Sequence, residues 1–500
     1  MKKLRPLMLG GTGSDVGKSL IATGLCRIFL QDGHKPAPFK AQNMALNSYV
    51  TSDGLEIGRA QAVQAEAAGL ECMAEMNPVL LKPSGDRTSQ VVLNGVSVGN
   101  KDAYDYFKRD SKEPLRREAC AAFDRLSLLY NPIVMEGAGS VAELNLQETD
   151  IVNMPMARHA GAAVILVADI DRGGVFASAY GSIMLQPEKY RRLIKGIIVN
   201  KFRGDIKLFE RGRRMLEDIC GVPVLGVVPY LTDVHIEEED SVSLVKKNCL
   251  HTESGLINVA VVAVPHMSNF TDMDTIARDT RAHVYFTMDP NEISAADVII
   301  LPGSKNTIGD LRTIKANGAA AAIVESAARG KTVVGICGGY QMMGLDIADP
   351  EGVEGNPTSE EGLALLHSHT VLRNTKTVRR VVFTLSGSQD KCRGYEIHMG
   401  ETKGEKDRPE AKPLAVKEDG TVDGYNIEGR IIGSYIHGLL DNPSVVDLIF
   451  APYAKKRSLT LTGNVKSAHE YKEEQYDMLA GKLRDCLDMD RLYKILEEDD

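Results

Sequence analysis

Apolar residues along the chain form short continuous runs, and each run ends in a polar or glycine-rich segment. In the first half, such runs begin near residues 7, 37, 133, 162, 197 and 224. Runs that are apolar throughout are typical of strands buried on both faces of a parallel sheet. Helix-period segments lie between them. The alternation predicts a doubly wound α/β fold for this half.

A second α/β pattern follows after a break in the periodicity. The break includes the acidic segment 235–240, and buried runs return near residues 257, 297, 333 and 431. Apolar residues recur at helical spacing near the end of the chain. The predicted organisation is a first domain over residues 1–240, a linker over 241–255, a second domain over 256–450 and a helical tail over 451–500.

The first apolar run leads into GGTGSDVGKS, residues 10–19, and a helical pattern follows. Glycines let backbone N–H groups close around phosphate oxygens, and the start of a helix favours the same anion. Lys18 would reach the terminal phosphates and Ser19 would bind Mg²⁺. Gly11 and Gly17 lie one residue further apart than in the usual phosphate loop. The predicted ATP-binding residues of this loop are Gly11, Thr12, Gly13, Ser14, Asp15, Val16, Gly17, Lys18 and Ser19.

Other strand ends predict further contacts to the nucleotide. Lys40 is a candidate second phosphate ligand, although a lysine after a strand is also ordinary surface. Glu136 ends a buried strand and precedes small residues, as a Mg²⁺-side carboxylate requires. Glu56 or Asp53 is a second candidate, but an acid near a helix start is also favoured by the helix dipole. Asn200 is placed to contact the base.

The second half contains VVGICGGYQ, residues 333–341. A strand that enters a glycine-flanked turn before a helix is typical of a nucleophile elbow, here with Cys337 as the nucleophile. The alternative is a small buried thiol without chemistry. Backbone N–H groups of Gly338 and Gly303 would stabilise an oxyanion. His437, at the end of another buried run, is the predicted base, and His398 is the competing candidate.

Composition limits the remaining possibilities. The 500 residues carry a formal net charge of −9, which disfavours a general nucleic-acid binder. No apolar run is long enough to span a membrane. The eight cysteines include no C-x-x-C pair, so we expect a reduced, cytoplasmic protein without a cysteine metal site.

A family resemblance rests on segments spread over nearly the whole chain. They are GTGSDVGKS, PFKAQNMALNS, EIGRAQ, NPVLLKP, MEGAGS, DIDRGG and VNKFRGD in the first half, and LPGSKNT, GICGGYQMMG, GYEIHMG and GSYIHGLLDNP in the second. Together they resemble the cobyric acid synthases, the glutamine-dependent amidases of cobalamin biosynthesis. The first half is similar to phosphate-loop ligases of the dethiobiotin-synthetase type. The second half is similar to the class I glutaminases, with a flavodoxin-like sheet.

The resemblance implies a two-part reaction. Glutamine would be hydrolysed through a thioester at Cys337, with His437 as base. The ammonia would amidate the b, d, e and g carboxylates of (adenosyl)cobyrinic acid a,c-diamide, each activated by ATP as an acyl phosphate. By match to the family, Ser19, Glu136 and Glu56 would bind Mg²⁺ and Asn200 would contact adenine. The implied partners are glutamine, ATP and a corrinoid polycarboxylate, without nucleic acid or membrane, and the oligomeric state stays open.

One position departs from ordinary class I glutaminases, which carry an acid two residues after the histidine. Here that position is Leu439, so the orientation of His437 is unexplained and we expect slow glutamine hydrolysis. Two alternatives remain at this point. The first is an amidase for another polycarboxylate, from the a,c-diamide step or a cell-wall precursor. The second is a non-enzymatic phosphate-loop switch with an inactive second half.

Overall fold

The computed structural model describes residues 2–83, 88–102, 109–237, 252–404, 412–457 and 468–498. In the first half, six parallel strands form one sheet in the order β12-β11-β10-β1-β9-β2. The strands of this half are β1 Leu7–Gly11, β2 Ala37–Phe39, β3 Gln42–Met44, β4 Ser48–Val50, β5 Glu56–Gly58, β6 Val79–Pro83, β7 Thr88–Leu93, β8 Val96–Asp102, β9 Ile133–Glu136, β10 Ala163–Asp169, β11 Ile194–Phe202 and β12 Val224–Pro229.

Helices cover both faces of this sheet. Those described in the first half are α1 Lys18–Gln31, α2 Arg59–Ala67, α3 Arg109–Leu129, α4 Met154–Ala160, α5 Val175–Met184, α6 Glu188–Arg191 and α7 Glu210–Cys220. Successive residues of β10 enter two different cores: Val164 packs in one and Ile165 in the other. Neighbouring side chains of a strand point to opposite faces, so a strand covered on both sides must be apolar at every position.

Two smaller sheets of the first half were not predicted. Strands β3, β6, β7 and β8 form a four-stranded sheet, and β4 pairs with β5 in an antiparallel ladder. All six strands lie in the chain between β2 and α3. Several residues of this region contact the second half of the molecule, as described below.

The second half contains another six-stranded sheet, in the order β15-β13-β16-β18-β26-β25, with only the edge strand β25 antiparallel. A separate seven-stranded sheet is built around the long hairpin of β21 and β22. The strands are β13 Ile257–Val262, β14 Met267–Ser268, β15 Ala282–Thr287, β16 Val298–Leu301, β17 Gly303–Ser304, β18 Thr332–Ile336, β19 Asp346–Asp349, β20 Thr358–Glu361, β21 Ser368–Leu385, β22 Lys391–Gly404, β23 Ala415–Lys417, β24 Val422–Asp423, β25 Tyr425–Ile427, β26 Ile431–Ser434 and β27 Ile436–His437.

The helical tail folds back onto the first half. The helices of the second half and the tail are α8 Asp274–Ala277, α9 Pro290–Ala295, α10 Thr307–Ala316, α11 Ala319–Ala328, α12 Gly338–Met342, α13 Pro443–Arg457, α14 Ala468–Cys486 and α15 Met489–Glu497. Leu479 and Leu483 of α14 lie in the same core as Leu25 of α1. A Cβ atom on Gly24 would lie only 2.3 Å from Leu483 Cδ1. Helix α14 therefore packs directly against α1 at Gly24, where a larger residue would not fit.

These findings confirm the predicted fold class, with a doubly wound parallel sheet in each half and a helical C-terminus. The domain limits remain a prediction, because residues 238–251, which include most of the predicted linker, lie outside the described residues. Among the described helices, none is long and apolar enough to cross a membrane.

Candidate active site

The phosphate loop connects β1 to α1 and closes around the side chain of Lys18. The Lys18 Nζ donates to the carbonyl oxygens of Gly13, at 3.0 Å, and Gly139, at 2.9 Å. A Cβ atom on Gly11 would lie 2.7 Å from this Nζ and 2.8 Å from the Gly139 oxygen. Gly17 adopts a positive φ of 94°, which glycine accepts without strain. Gly11 is therefore required by the close approach of the Lys18 side chain, and Gly17 by its positive φ.

The structure brings Ser19 and Glu136 together beside this loop. The Ser19 hydroxyl and the Lys40 ammonium both donate to Glu136 Oε1, each at 2.9 Å, and Gln64 donates to Oε2 at 2.7 Å. Burial alone would raise the pKa of Glu136, but the Lys40 charge and these hydrogen bonds outweigh it and lower the pKa. Glu136 is thus held as a carboxylate, next to a hydroxyl oxygen, and both are ligand types that suit Mg²⁺.

Asn200 lies against the backbone of the phosphate loop. Its Nδ2 donates to the Val16 carbonyl oxygen at 2.8 Å. A Cβ atom on Gly17 would lie 2.1 Å from the same nitrogen. The amide is therefore at the loop, at the carboxyl end of β11 where ligands of such sheets bind.

The partners of Glu56 lie outside the phosphate loop, which disfavours its predicted role as a Mg²⁺ ligand. Its Oε1 accepts from Ser48 at 2.9 Å and Lys82 at 2.8 Å, and its Oε2 accepts from Lys376 of the second half. Burial would raise the pKa of Glu56, but the two lysine charges lower it. Both oxygens are therefore engaged in an ion cluster between the halves. The alternative residue, Asp53, accepts a hydrogen bond from Thr51 within a local turn.

Cys337 lies between β18 and α12 in a strained backbone conformation, with φ 51° and ψ −106°. Positive φ is rare in residues other than glycine and is frequent at functional turns. The two following glycines are required by close packing. A Cβ atom on Gly338 would lie 2.7 Å from the Ser304 nitrogen. A Cβ atom on Gly339 would lie 2.0 Å from the Leu301 oxygen. This is the geometry of a nucleophile elbow.

The two predicted oxyanion glycines lie close to each other beside Cys337. Gly338 faces the backbone of Ser304, and Gly303 immediately precedes that residue in β17. A Cβ atom on Gly303 would lie 3.1 Å from the Cε1 atom of His437. The structure therefore brings Gly303, Gly338, Cys337 and His437 into one site.

His437 is oriented by Asp272, a residue that was not predicted from the sequence. Its Oδ2 is 2.7 Å from His437 Nδ1, and its Oδ1 accepts from the Gly438 N–H at 2.8 Å. This residue, Asp272, lies 165 positions earlier in the chain. Burial would lower the pKa of His437, but the charge and hydrogen bond of Asp272, together with Cys337, raise it to about 10.

The acid that is absent at Leu439 is thus supplied by another segment. The orientation of His437, which the sequence left unexplained, is thus accounted for by Asp272, and the reason to expect slow hydrolysis no longer holds. No pattern near the histidine could have indicated Asp272, because the two residues lie 165 positions apart and are brought together by the fold of the second half.

His398, the competing base, has a different environment. Its Nδ1 donates to the Gly400 carbonyl oxygen at 2.9 Å, and its ring stacks on Tyr435 with the centroids 3.9 Å apart. Burial lowers its pKa to about 4, so the imidazole is neutral at physiological pH. His437, by contrast, interacts with Cys337, which contributes to its raised pKa.

The cavity in front of Cys337 is lined by both halves of the chain. Lys82 comes from the first half, whereas Lys305, Lys376, Gln341 and His398 come from the second. Burial and the neighbouring charges of Lys376 and Lys82 lower the pKa of Lys305 to about 7. The cavity therefore carries lysines from both domains and lies at the contact between them.

A phosphate loop in one α/β half and a cysteine elbow with a paired histidine in the other define a class, the ATP-dependent glutamine amidotransferases. Comparison with known families agrees with both parts. Residues 7–244 match the CobQ/CobB/MinD/ParA nucleotide binding domain, and residues 258–445 match the CobB/CobQ-like glutamine amidotransferase domain.

Curated relatives match over the full length. The cobyric acid synthase of Bacteroides fragilis is 57% identical over 499 residues, covering 100% of both chains. That of Phocaeicola vulgatus is 56% identical over 502 residues with the same coverage, and that of Parabacteroides distasonis is 53% identical over 497 residues and 99% of each chain. The chain belongs to the cobyric acid synthase family, and the predicted resemblance is confirmed.

Proposed function

We propose that this protein amidates the b, d, e and g carboxylates of (adenosyl)cobyrinic acid a,c-diamide, using ATP, Mg²⁺ and ammonia from glutamine. The observation that carries the proposal is the presence, in one chain of this family, of two complete constellations. One is Lys18, Ser19 and Glu136 at a phosphate loop, and the other is Cys337 with His437 at an elbow.

In the second half, Cys337 is the nucleophile. The Cys337 thiol gives its proton to His437, the resulting thiolate attacks the side-chain carbonyl carbon of glutamine, and the N–H groups of Gly338 and Gly303 stabilise the oxyanion. Protonated His437 then donates its proton to the leaving nitrogen, so ammonia departs and a thioester remains. Asp272 stabilises the protonated form of His437, since it helps to raise the histidine pKa to about 10. Water, deprotonated by His437, hydrolyses the thioester to glutamate.

In the first half, a substrate carboxylate oxygen attacks the γ-phosphorus of ATP, and ADP leaves. Ammonia attacks the carbonyl carbon of the resulting acyl phosphate, and inorganic phosphate leaves as the amide forms. Lys18 would neutralise the terminal phosphates, and the Asn200 amide would contact adenine. Ser19 and Glu136 would hold Mg²⁺, which supplies charge neutralisation for the phosphate oxygens. Glu136 is suited to this role because it is held ionised.

The test is amidation followed by mass spectrometry, with ATP, Mg²⁺, glutamine and cobyrinic acid a,c-diamide. We expect four successive mass steps from the wild type. Cys337→Ala should abolish product formation with glutamine and retain it with ammonium. Cys392→Ala is the matched control, because Cys392 is buried in the same half and contacts Ser444 instead of His437.

An absence of amidated corrinoid from the wild type would contradict the substrate assignment. Persistence of glutamine-driven amidation in Cys337→Ala would contradict the assignment of the nucleophile.

A further inference from the structure

A segment of the first half contacts the second half at the turn that carries Asp272. Asn47 is completely buried, and its Oδ1 accepts from the backbone N–H of Phe270 at 3.2 Å. In the opposite direction, the Ser48 N–H donates to Asn269 Oδ1 at 3.0 Å. Two asparagine side chains, one from each half, thus bind the backbone of the partner segment.

This pair of bonds fixes the start of a short 3-10 turn, Phe270–Met273. Asn269 precedes the turn in a left-handed conformation, with φ 51° and ψ 41°. Its carbonyl oxygen accepts from the Asp272 N–H at 3.0 Å. Asp272 is itself a residue of this turn. A shift of the turn would therefore move the Asp272 carboxylate relative to His437.

The same segment also supports the histidine ring from behind. Tyr49 contacts Tyr395 edge-to-face with the centroids 5.0 Å apart, and Tyr395 stacks on His437 with the centroids 5.4 Å apart. The Arg59 guanidinium lies over the Tyr49 ring, 4.6 Å from its centroid. First-half residues therefore contact the immediate neighbours of both Asp272 and His437. Asn47 binds the turn that contains Asp272, and Tyr49 contacts the Tyr395 ring that stacks on His437.

We propose that Asn47 is a positioning residue for glutamine hydrolysis: the first half, through Asn47, holds the Phe270–Met273 turn so that Asp272 orients His437. This inference rests on the proposed roles of Cys337 and His437. The hydrogen bond is buried, and removal of its acceptor leaves the Phe270 N–H without that partner. The glutaminase centre is thus completed by a residue of the domain that binds ATP.

The experiment compares Asn47→Ala with Asn258→Ala in the full-length protein. Asn258 is also buried and also binds backbone groups, but within the second half, at Glu253 and Leu256. For Asn47→Ala, we expect the kcat of glutamine hydrolysis to fall about tenfold, as a lost buried hydrogen bond implies, with KM changed less than about twofold. Amidation driven by ammonium should be unchanged.

The pH profile separates positioning from general destabilisation. Asp272 raises the pKa of His437, so loosening the aspartate lowers that pKa. The high-pH limb of kcat should therefore move to lower pH in Asn47→Ala and stay in place in Asn258→Ala. An unchanged limb, or an equal loss in both variants, would overturn the inference.

A second variant guards against misfolding of the first. Asn269→Gly retains easy access to the left-handed conformation and removes the acceptor for the Ser48 N–H. Because Asn269 also lines the cavity in front of Cys337, the pH limb rather than KM is compared. We expect the same shift of the pH limb, and its absence in a folded Asn269→Gly overturns the proposal.

The Cys337→Ala arm separates the two possible failures. If that variant still hydrolyses glutamine, the role of Cys337 in the proposed function fails. If it is inactive while both asparagine variants behave like wild type, only the positioning role fails.

Discussion

Glu136 in the first half and Asp272 in the second are both buried carboxylates that contact a cation, Lys40 at 2.9 Å and His437 at 2.7 Å. Their surroundings give them different roles. Glu136 receives three donors at the phosphate loop, whereas Asp272 divides its oxygens between His437 and a backbone N–H. The first arrangement suits a ligand that remains anionic for a metal. The second stabilises a proton on its partner.

The sites also differ in how the chain assembles them. The phosphate site combines one continuous loop with the ends of strands β9 and β11 of the same sheet. The glutamine site combines an elbow, a histidine and an aspartate from three distant segments, and it borders side chains of the other half. A site of the second kind depends more strongly on the contact between the domains. The following variants test this difference.

The largest effect is expected for Lys18→Met. Removal of the charge at the phosphates should reduce amidation about 1,000-fold, with glutamine and with ammonium alike, because both routes need the acyl phosphate. Basal glutamine hydrolysis should remain within about twofold. Product and glutamate are measured in the same samples. Lys482→Met, which removes a surface pair with Asp233, is the control, and equal losses in the two variants would contradict the assignment.

Asp272→Asn should reduce glutamine hydrolysis by about 100- to 1,000-fold, since the amide neither stabilises the imidazolium nor fixes its orientation as the carboxylate does. Ammonium-driven amidation should persist. The pKa of His437 should fall from about 10, so any residual activity is lost at lower pH than in wild type. A pH–rate series measures this. If the residual glutamine hydrolysis of Asp272→Asn is lost at the same high pH as in the wild type, Asp272 does not act through the histidine.

Glu136→Gln and Glu56→Gln should affect different properties. The first should increase the Mg²⁺ concentration required for half-maximal amidation about tenfold, as loss of a carboxylate ligand implies. The second should leave that requirement unchanged and reduce the free energy of unfolding by about 3 kcal/mol, because Lys82 and Lys376 would remain buried without their shared anion.

The stability difference for Glu56 has a defined pH dependence. The pKa of Glu56 is lowered in the folded protein, so its contribution is complete above the ordinary glutamate pKa and is lost as the pH falls below about 4. Denaturant titrations at neutral and acidic pH measure it. A Mg²⁺ requirement that rises in Glu56→Gln would support the prediction that Glu56 is a Mg²⁺ ligand.

The smallest effect is expected for the activity of Leu439→Glu. An acid at this position should not accelerate glutamine hydrolysis, because Asp272 already binds His437 Nδ1. Leu439 is completely buried, so a carboxylate there should instead lower the free energy of unfolding by about 2 kcal/mol or more. Thermal melting and kcat are measured together, with Leu439→Met as the volume-matched control. A faster enzyme would show that orientation is still incomplete.

The sequence alone determined the two parallel sheets, since strands buried on both faces must be apolar throughout. It also determined the phosphate loop and the cysteine elbow, because each is a local turn whose backbone requires glycine at fixed positions. These features depend on neighbours in the chain, and the resemblance to the cobyric acid synthases extended them to a family.

Only the tertiary structure decided the partners of the charged groups. Glu56 binds Lys376 across the domain contact, Asp272 replaces the acid absent at Leu439, and Asn47 binds the turn that carries Asp272. The physical reason is that a buried charge or amide must find a partner in space, and sequence distance gives no indication of which residue that is. The packing of the two halves makes that selection.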